Sequence, residues 1–314
     1  MADQPQTLLE AVTYFADPDR ALDFMVEMRW PRGVTCPHCN SNGVGFIRTR
    51  RIWRCKSCKK QFSAKLGTIF EDSPISLDKW LPAMWLICNA KNGISSYELG
   101  RALGVTQTTG WFMLHRIRLA LQNDDFTMID GEAEVDETFI GGKARFMHKA
   151  DRERKINGTG GTGKVAVMGL LDRHGPDGHS TVRAKVVPNT RRNTVGPEVR
   201  KNVKAGATVY SDALKSYSDL DADYVHGVID HAEKYADGHI HTNGIENFWS
   251  LLKRAIKGTY VSVEPFHLFR YLDEEVFRFN TREGTDVQRF VRAVGQVVGR
   301  RLTYDDLTGK ALAV

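Results

Sequence analysis

The sequence predicts a multidomain α+β/α/β protein, and three observations carry that expectation. Two C-x2-C pairs, Cys36 with Cys39 and Cys55 with Cys58, stand in a short glycine-punctuated stretch. Apolar residues then recur at helical spacing through residues 76–121. Beyond residue 128, β-branched runs alternate with helical runs as far as residue 282. A chain of 314 residues has room for two or three small domains. The pattern divides it into 1–30, 31–70, 75–122, 128–282 and 283–314.

The composition, 41% hydrophobic and 26% charged, is that of a folded globular chain. No apolar run approaches the ~18 residues of a membrane span. The first thirty residues carry Asp3, Glu10, Asp17, Asp19, Asp23 and Glu27, which does not suit a secretory signal. Five cysteines, four of them in two close pairs, do not make an extracellular disulfide framework, so a reducing cytoplasm is the expected compartment. Net charge is +6 and the pI about 9.0. The distribution says more. Residues 28–70 hold ten Lys or Arg and no Asp or Glu, among them Arg48, Arg50, Arg51, Arg54, Lys56 and Lys59. A one-signed stretch of that kind attracts phosphates through counterion release, and nucleic acid is the expected partner.

In chain order, residues 1–30 read as one or two short helices, with Asp17-Pro18 as N-cap and first helical position. Short β-like pieces are expected at 44–47 and 52–53. Helices follow over 77–88, 94–103 and 106–121. Strands are expected at 134–140, 165–171, 181–187, 208–211 and 225–229, with helices over 195–203 and 244–256. Residues 157–163, rich in Gly and Thr, read as a flexible loop. A helical pattern over 287–298 sits in a tail with no interpretable motif.

The two cysteine knuckles are separated by 15 residues, enough for one β-hairpin. A two-residue gap lets both sulfurs of a knuckle face one ion, and four thiolates close the tetrahedron zinc prefers. Cys36, Cys39, Cys55 and Cys58 are therefore expected to hold one structural Zn2+. With no position left open for water, the role is structural. His38 lies inside the first knuckle as a bystander, and Cys88 reads as a buried small hydrophobe.

Ser95-Ser96 caps a short helix, Gly104 supplies a turn, and a second helix opens on Thr106-Gln107-Thr108-Thr109. That is the pattern of a helix-turn-helix whose second helix enters a major groove by its polar N-terminus. Gln107, Thr108 and Thr109 are the expected base readers, and Arg116 and Arg118 the expected phosphate contacts.

Three acids complete the pattern. Asp136 alternates with Thr138 on an expected strand, Asp212 ends another, and Glu246 opens a late helix. Two strands and a helix can bring three carboxylates to one site. Oxygen-only ligation suits two Mg2+ or Mn2+, which together catalyse in-line displacement at a phosphodiester. Lys253 follows Glu246 by seven residues and shares its helix face to within about 20°. A cation there is placed to hold a phosphate near the metals. Glu137 points away from Asp136, and Glu134 shares its face only as a supporting group.

These residues resemble insertion-sequence transposases of the insertion sequence 1595 group, relatives of the Merlin elements. The likeness runs through Arg29-Trp30-Pro31, both knuckles, Glu134-Val135-Asp136-Glu137-Thr138-Phe139-Ile140-Gly141-Gly142 and Tyr210-Ser211-Asp212. It continues through His241-Thr242-Asn243-Gly244-Ile245-Glu246, Phe248-Trp249-Ser250-Leu251-Leu252-Lys253, Gly258-Thr259-Tyr260 and Phe277-Arg278-Phe279-Asn280. Val261 stands where the family pattern has a histidine. The resemblance implies an RNase H-like catalytic domain, a mixed central sheet flanked by helices. It implies Asp136, Asp212 and Glu246 as the acidic triad, with Lys253 as basic companion. It further implies double-stranded DNA partners, namely terminal inverted repeats and target, bound by a homodimer or higher oligomer at the nucleoid. The alternatives are an RNase H-fold nuclease such as a junction resolvase, and a DNA-binding regulator without catalysis.

Overall fold

The structure is a computed structural model that describes residues 4–122, 127–142, 163–175, 177–212, 217, 219–229 and 241–309. The expected loop at 157–163 lies, but for Gly163, outside the described residues. The chain divides into two compact units, Met1–Gln122 joined by Thr281–Val314, and Asn123–Asn280.

The first unit opens with α1 (Leu8–Phe15) and α2 (Pro18–Arg29), then the short strands β1 (Val44–Ile47), β2 (Ile52–Cys55) and β3 (Gln61–Phe62). Helices α3 (Leu77–Asn89), α4 (Ser96–Leu103) and α5 (Gln107–Ala120) follow. The second unit holds β4 (Glu132–Ile140), β5 (Val165–Asp172), β6 (Thr181–Val187), α6 (Arg192–Asn202), β7 (Thr208–Asp212), β8 (Val225–Ile229), α7 (Asn243–Ala255) and α8 (Leu268–Asn280). The chain then returns to the first unit with α9 (Asp286–Gly295) and α10 (Tyr304–Thr308).

Local chemistry sets the helix ends of the first unit. Thr7 and Glu10 form a capping box on α1, and Asp17 caps α2 with Pro18 at its first position. Ser95 and Glu98 form a second box on α4, which ends on Gly104 in the left-handed region at φ 63°. Between α4 and α5 the backbones close up at Gly110, where a Cβ would come within 2.9 Å of the Ser96 carbonyl. Of residues 283–314, expected as a separate tail, the described ones, 283–309, are built into this unit. Phe290 of α9 is 0% exposed and packs against Phe15, Phe24 and Trp85 at ring separations of 5.6, 5.6 and 5.1 Å. Asn89 of α3 donates to the Asp286 carbonyl and accepts from Arg289.

The second unit is a five-stranded sheet in the order β6-β5-β4-β7-β8. β4, β5 and β6 run antiparallel, whereas β4–β7 and β7–β8 are parallel. This mixed order, with helices on both faces, is the RNase H-like arrangement that the resemblance implies. One core lies under α6 and contains Val135, Met168, Leu170, Val195, Val199 and Val209. The other lies under α7 and α8 and contains Val167, Leu171, Ile245, Phe248, Trp249 and Leu272.

The expected strands stand where the alternation placed them, to within two residues at either end. Helix α6 begins three residues before the expected 195, because Asn189 Oδ1 accepts from the Arg191 N–H and the Thr194 hydroxyl and draws the chain into the turn. Helix α8 is absent from the expected set. Its Glu274, Glu275 and Arg278 are buried and paired with one another, so charges that look like a solvated face line the interior instead. Tyr260 also donates to Glu274, and Asn280 holds both backbone groups of Val182 on the edge strand β6. The Gly-Thr-Tyr and Phe-Arg-Phe-Asn stretches are thus structural. Val261, after the π-helical turn Ile256–Tyr260, is exposed at φ 63°.

Gly169 fixes how closely α7 approaches the sheet. It lies opposite Asp136 in the β4–β5 ladder, and a Cβ there would stand 2.7 Å from the Trp249 ring and 2.8 Å from Ile245 Cδ1. Gly169→Val is expected to destabilise the protein by about 1–3 kcal/mol through overpacking. Thermal unfolding measures it; a melting temperature equal to the parent's would show that α7 yields freely.

Candidate active site and metal centres

The acidic site is set by strand register. β4 and β7 pair with Val135 beside Ser211, so Asp136 and Asp212 stand side by side one residue further on. Helix α7 covers the same face of β4, and its Trp249 Nε1–H donates to Asp136 Oδ2 at 2.9 Å. Glu246 is exposed in the first turn of α7, where its Oε1 accepts the Thr242 hydroxyl at 3.2 Å. Burial pushes the Asp136 carboxyl up to about 6, and the charges of Asp212 and Glu246 add to it. The Glu137 and Trp249 N–H groups pull the other way. Lys253 lies partly buried two turns along α7. Burial lowers its ammonium pKa while the charge of Asp136 opposes the shift.

The three carboxylates are not drawn into one tight cluster. Among the described residues, the four cysteines are the one group of three or more His, Cys, Asp or Glu whose ligand atoms all lie within 4.8 Å of one another. A pair of ions ~3.5–4 Å apart needs a wider acidic cradle than a single ion does. The three acids offer oxygen atoms only, the ligand chemistry that suits a hard divalent cation.

Glu137 lies on the opposite face, its carboxyl pushed up to about 7 by burial. Glu134 is 1% exposed, and its carboxylate accepts from Arg173 Nε at 2.8 Å and from the Ile245 N–H at 2.9 Å. Tyr210, His241 and Trp249 enter the sequence reading only within the family motifs, with no role of their own, and Arg173 does not enter it. The alternation of Glu132, Glu134 and Asp136 on one face was the available signal. Ser211 Oγ, His226 and Asp221 form a hydrogen-bonded series with 2.8 Å at each step, in the order of a hydrolase triad. Ser211 is fully buried, so the series braces the end of β7 rather than meeting a substrate.

The ribbon is built from two matching turns. Asn40 and Lys59, each just after a knuckle, take left-handed φ of 57° and 63°. Asn40 and Lys59 N–H groups donate back to Cys36 and Cys55 carbonyls, and Cys36 and Cys55 N–H groups to Ser41 and Lys60. The sulfurs of Cys36 and Cys58 lie 3.7 Å apart and those of Cys39 and Cys55 3.6 Å apart. A tetrahedron with Zn–S of ~2.3 Å has an edge of about 3.8 Å, so the four sulfurs fit one zinc ion. The Cys58 N–H, 3.5 Å from Cys55 Sγ, helps hold that thiol down to about 6.

Arg48, Arg50, Arg51, Arg54, Lys56 and Lys59 are all exposed on the ribbon. Arg51 pairs with Asp19 at 2.6 Å, an exposed bridge of little energetic weight. At the start of α5, Thr108 is exposed, Gln107 donates to Ser96 Oγ and Thr109 shares a hydroxyl contact with Thr106. Arg116 does not face solvent as expected. It is 4% exposed, and its guanidinium donates to the carbonyls of Ile69, Glu71 and Leu302. Arg116 thereby joins three segments of the unit and is withdrawn from phosphate contact. Arg118 is buried as well.

Residues 128–280 match the ISXO2-like transposase domain, and residues 17–61 match the transposase zinc-ribbon domain. The chain belongs to the ISXO2-like transposase family. The transposase-domain match lies within the second unit, and the ribbon match contains all four cysteines. This transposase-family chain is 37% identical over 99 residues to an uncharacterized transposase-like protein of Haemophilus influenzae, covering 31% of the chain and 80% of the relative. It is 28% identical over 252 residues to an uncharacterized protein in transposable element ISH50 of Halobacterium salinarum, covering 76% of the chain and 83% of that relative. Among the described residues of this transposase, no helix is long and apolar enough to cross a membrane.

Proposed function

We propose that the chain cuts and joins DNA at the inverted repeats of a mobile element, using Asp136, Asp212 and Glu246 to hold two Mg2+ or Mn2+. The observation that carries this reading is the side-by-side placement of Asp136 and Asp212 under the helix that bears Glu246. Bound divalent ions supply activation of a water or 3′-hydroxyl and stabilisation of the leaving oxygen. Trp249 fixes the orientation of the Asp136 carboxylate by its 2.9 Å hydrogen bond. Lys253, in the field of Asp136, positions a DNA phosphate beside the acids. The exposed arginines and lysines of the ribbon neutralise backbone phosphates, and Gln107, Thr108 and Thr109 meet base edges at the N-terminus of α5. The protein works as a homodimer or higher oligomer on paired ends, in the cytoplasm at the nucleoid.

The test incubates the zinc-loaded chain with Mg2+ or Mn2+ and DNA carrying the element's ends. Strand transfer is the expected product. Hydrolysis without joining would assign a nuclease, and binding without cutting a regulator.

A further inference from the structure

We propose that Arg173 and Glu134 form a buried clamp that holds the three acid-bearing elements in register and so sets the acidic site's affinity for divalent cations. The inference rests on the acidic-site reading above and adds residues to it. Glu134 precedes Asp136 by two positions on β4, Tyr210 precedes Asp212 by two on β7, and Ile245 immediately precedes Glu246 on α7. One network touches all three. Glu134 Oε2 accepts the Ile245 N–H at 2.9 Å, and its Oε1 meets Arg173 Nε at 2.8 Å and His241 Nδ1 at 3.3 Å. Arg173 Nη2 donates to the His241 carbonyl at 2.6 Å, which fixes the chain entering α7. The guanidinium lies 4.1 Å from the Tyr210 ring centroid, and the Tyr210 hydroxyl donates to Glu132 at 2.7 Å.

The fit leaves little slack. A Cβ on Gly244 would stand 2.9 Å from Glu134 Oε2, so the carboxylate lies directly against the backbone of the first turn of α7. The negative charge also suits the partial positive end of that helix. Glu134 is 1% and Arg173 11% exposed in their side chains. Burying such a pair contributes little to stability relative to apolar packing. What it provides is direction: a planar fork that reaches a carboxylate and a carbonyl while stacking on a ring, which a lysine cannot reproduce. Arg173 and Glu134 are positioning residues, since neither is placed among the metal-holding acids.

The experiment measures Mn2+ binding by calorimetry to the zinc-loaded full chain without DNA, alongside thermal unfolding and metal-free binding to end DNA. Arg173→Lys is expected to weaken Mn2+ binding roughly ten- to hundredfold, with melting and DNA binding close to the parent's. Glu134→Gln keeps an acceptor for the Ile245 N–H but not the charge, and is expected to weaken Mn2+ binding in the same direction. Parental Mn2+ affinity in a folded Arg173→Lys protein overturns the clamp. Loss of the fold in both variants assigns the pair to stability alone and overturns it equally. A parent that binds no Mn2+, or an Asp136→Asn variant that binds it as tightly as the parent, overturns instead the acidic-site reading beneath it.

Discussion

Asp136→Asn, Asp212→Asn and Glu246→Gln are each expected to lower DNA cleavage at least roughly a thousandfold, about 4 kcal/mol of barrier, while leaving DNA binding intact. Each change keeps the size of its side chain and removes a negative charge that a divalent ion needs. Asparagine at 136 keeps one acceptor oxygen, which can serve the Trp249 indole at the expense of the Glu137 N–H, and the packing of Trp249 between β4 and α7 is untouched. Folding survives for a second reason. Burial and the neighbouring acids already push the Asp136 carboxyl up to about 6, so neutralising one member relieves repulsion when no metal is bound. DNA binding is assigned to the other unit, and less negative charge faces phosphate. Lys253→Ala is expected to do less, weakening substrate placement without abolishing chemistry. Cleavage and binding of all four variants on the same end DNA decide it. A variant that binds normally and cuts at the parental rate removes its residue from the triad.

Removal of zinc is expected to unfold the ribbon. Its three strands have four, four and two residues, and its aromatic packing is limited to Trp30, Phe46, Trp53 and Phe62. Too little apolar surface is buried to hold such a sheet alone. Zinc binding by comparable small sites contributes about 10–16 kcal/mol near neutral pH, and that free energy is folding free energy. Chelation, or serine at any of Cys36, Cys39, Cys55 or Cys58, should open the segment between the knuckles to proteolysis and abolish specific binding to end DNA. Metal analysis of freshly purified protein should find one zinc per chain. Protein that contains none, yet resists protease across residues 31–70, would refute the assignment.

Much of the sheet was legible because strands buried on one or both faces write period-two or continuous apolar runs, as in Val165–Asp172. The cysteine site was legible for a similar reason, since two-residue gaps determine ligand geometry locally. What escaped depends on partners distant in sequence. Arg116 reads as a surface cation within its own helix, yet the carbonyls it satisfies lie 45, 47 and 186 residues away. Helix α8 escaped because a charge buried against another charge has the same letter as a charge in water. Glu134 showed its face but not its use. Only the tertiary structure brings Arg173, 39 residues on, and Ile245, 111 residues on, to its two oxygens.

The return of Thr281–Val314 to the unit begun by Met1–Gln122 has a consequence for the order in which the chain matures on the ribosome. Synthesis proceeds from the N-terminus, and domains fold as units once all their parts have emerged. The ribbon and the helix-turn-helix are made first, but Phe15, Phe24 and Trp85 lack the ring of Phe290 until the whole second unit has been translated. A nascent chain therefore carries an open aromatic cleft through most of its synthesis. A message broken anywhere before codon 281 yields a polypeptide whose first unit lacks the helix that closes its core. The finished chain completes its first unit only after the five-stranded sheet of the second has been made.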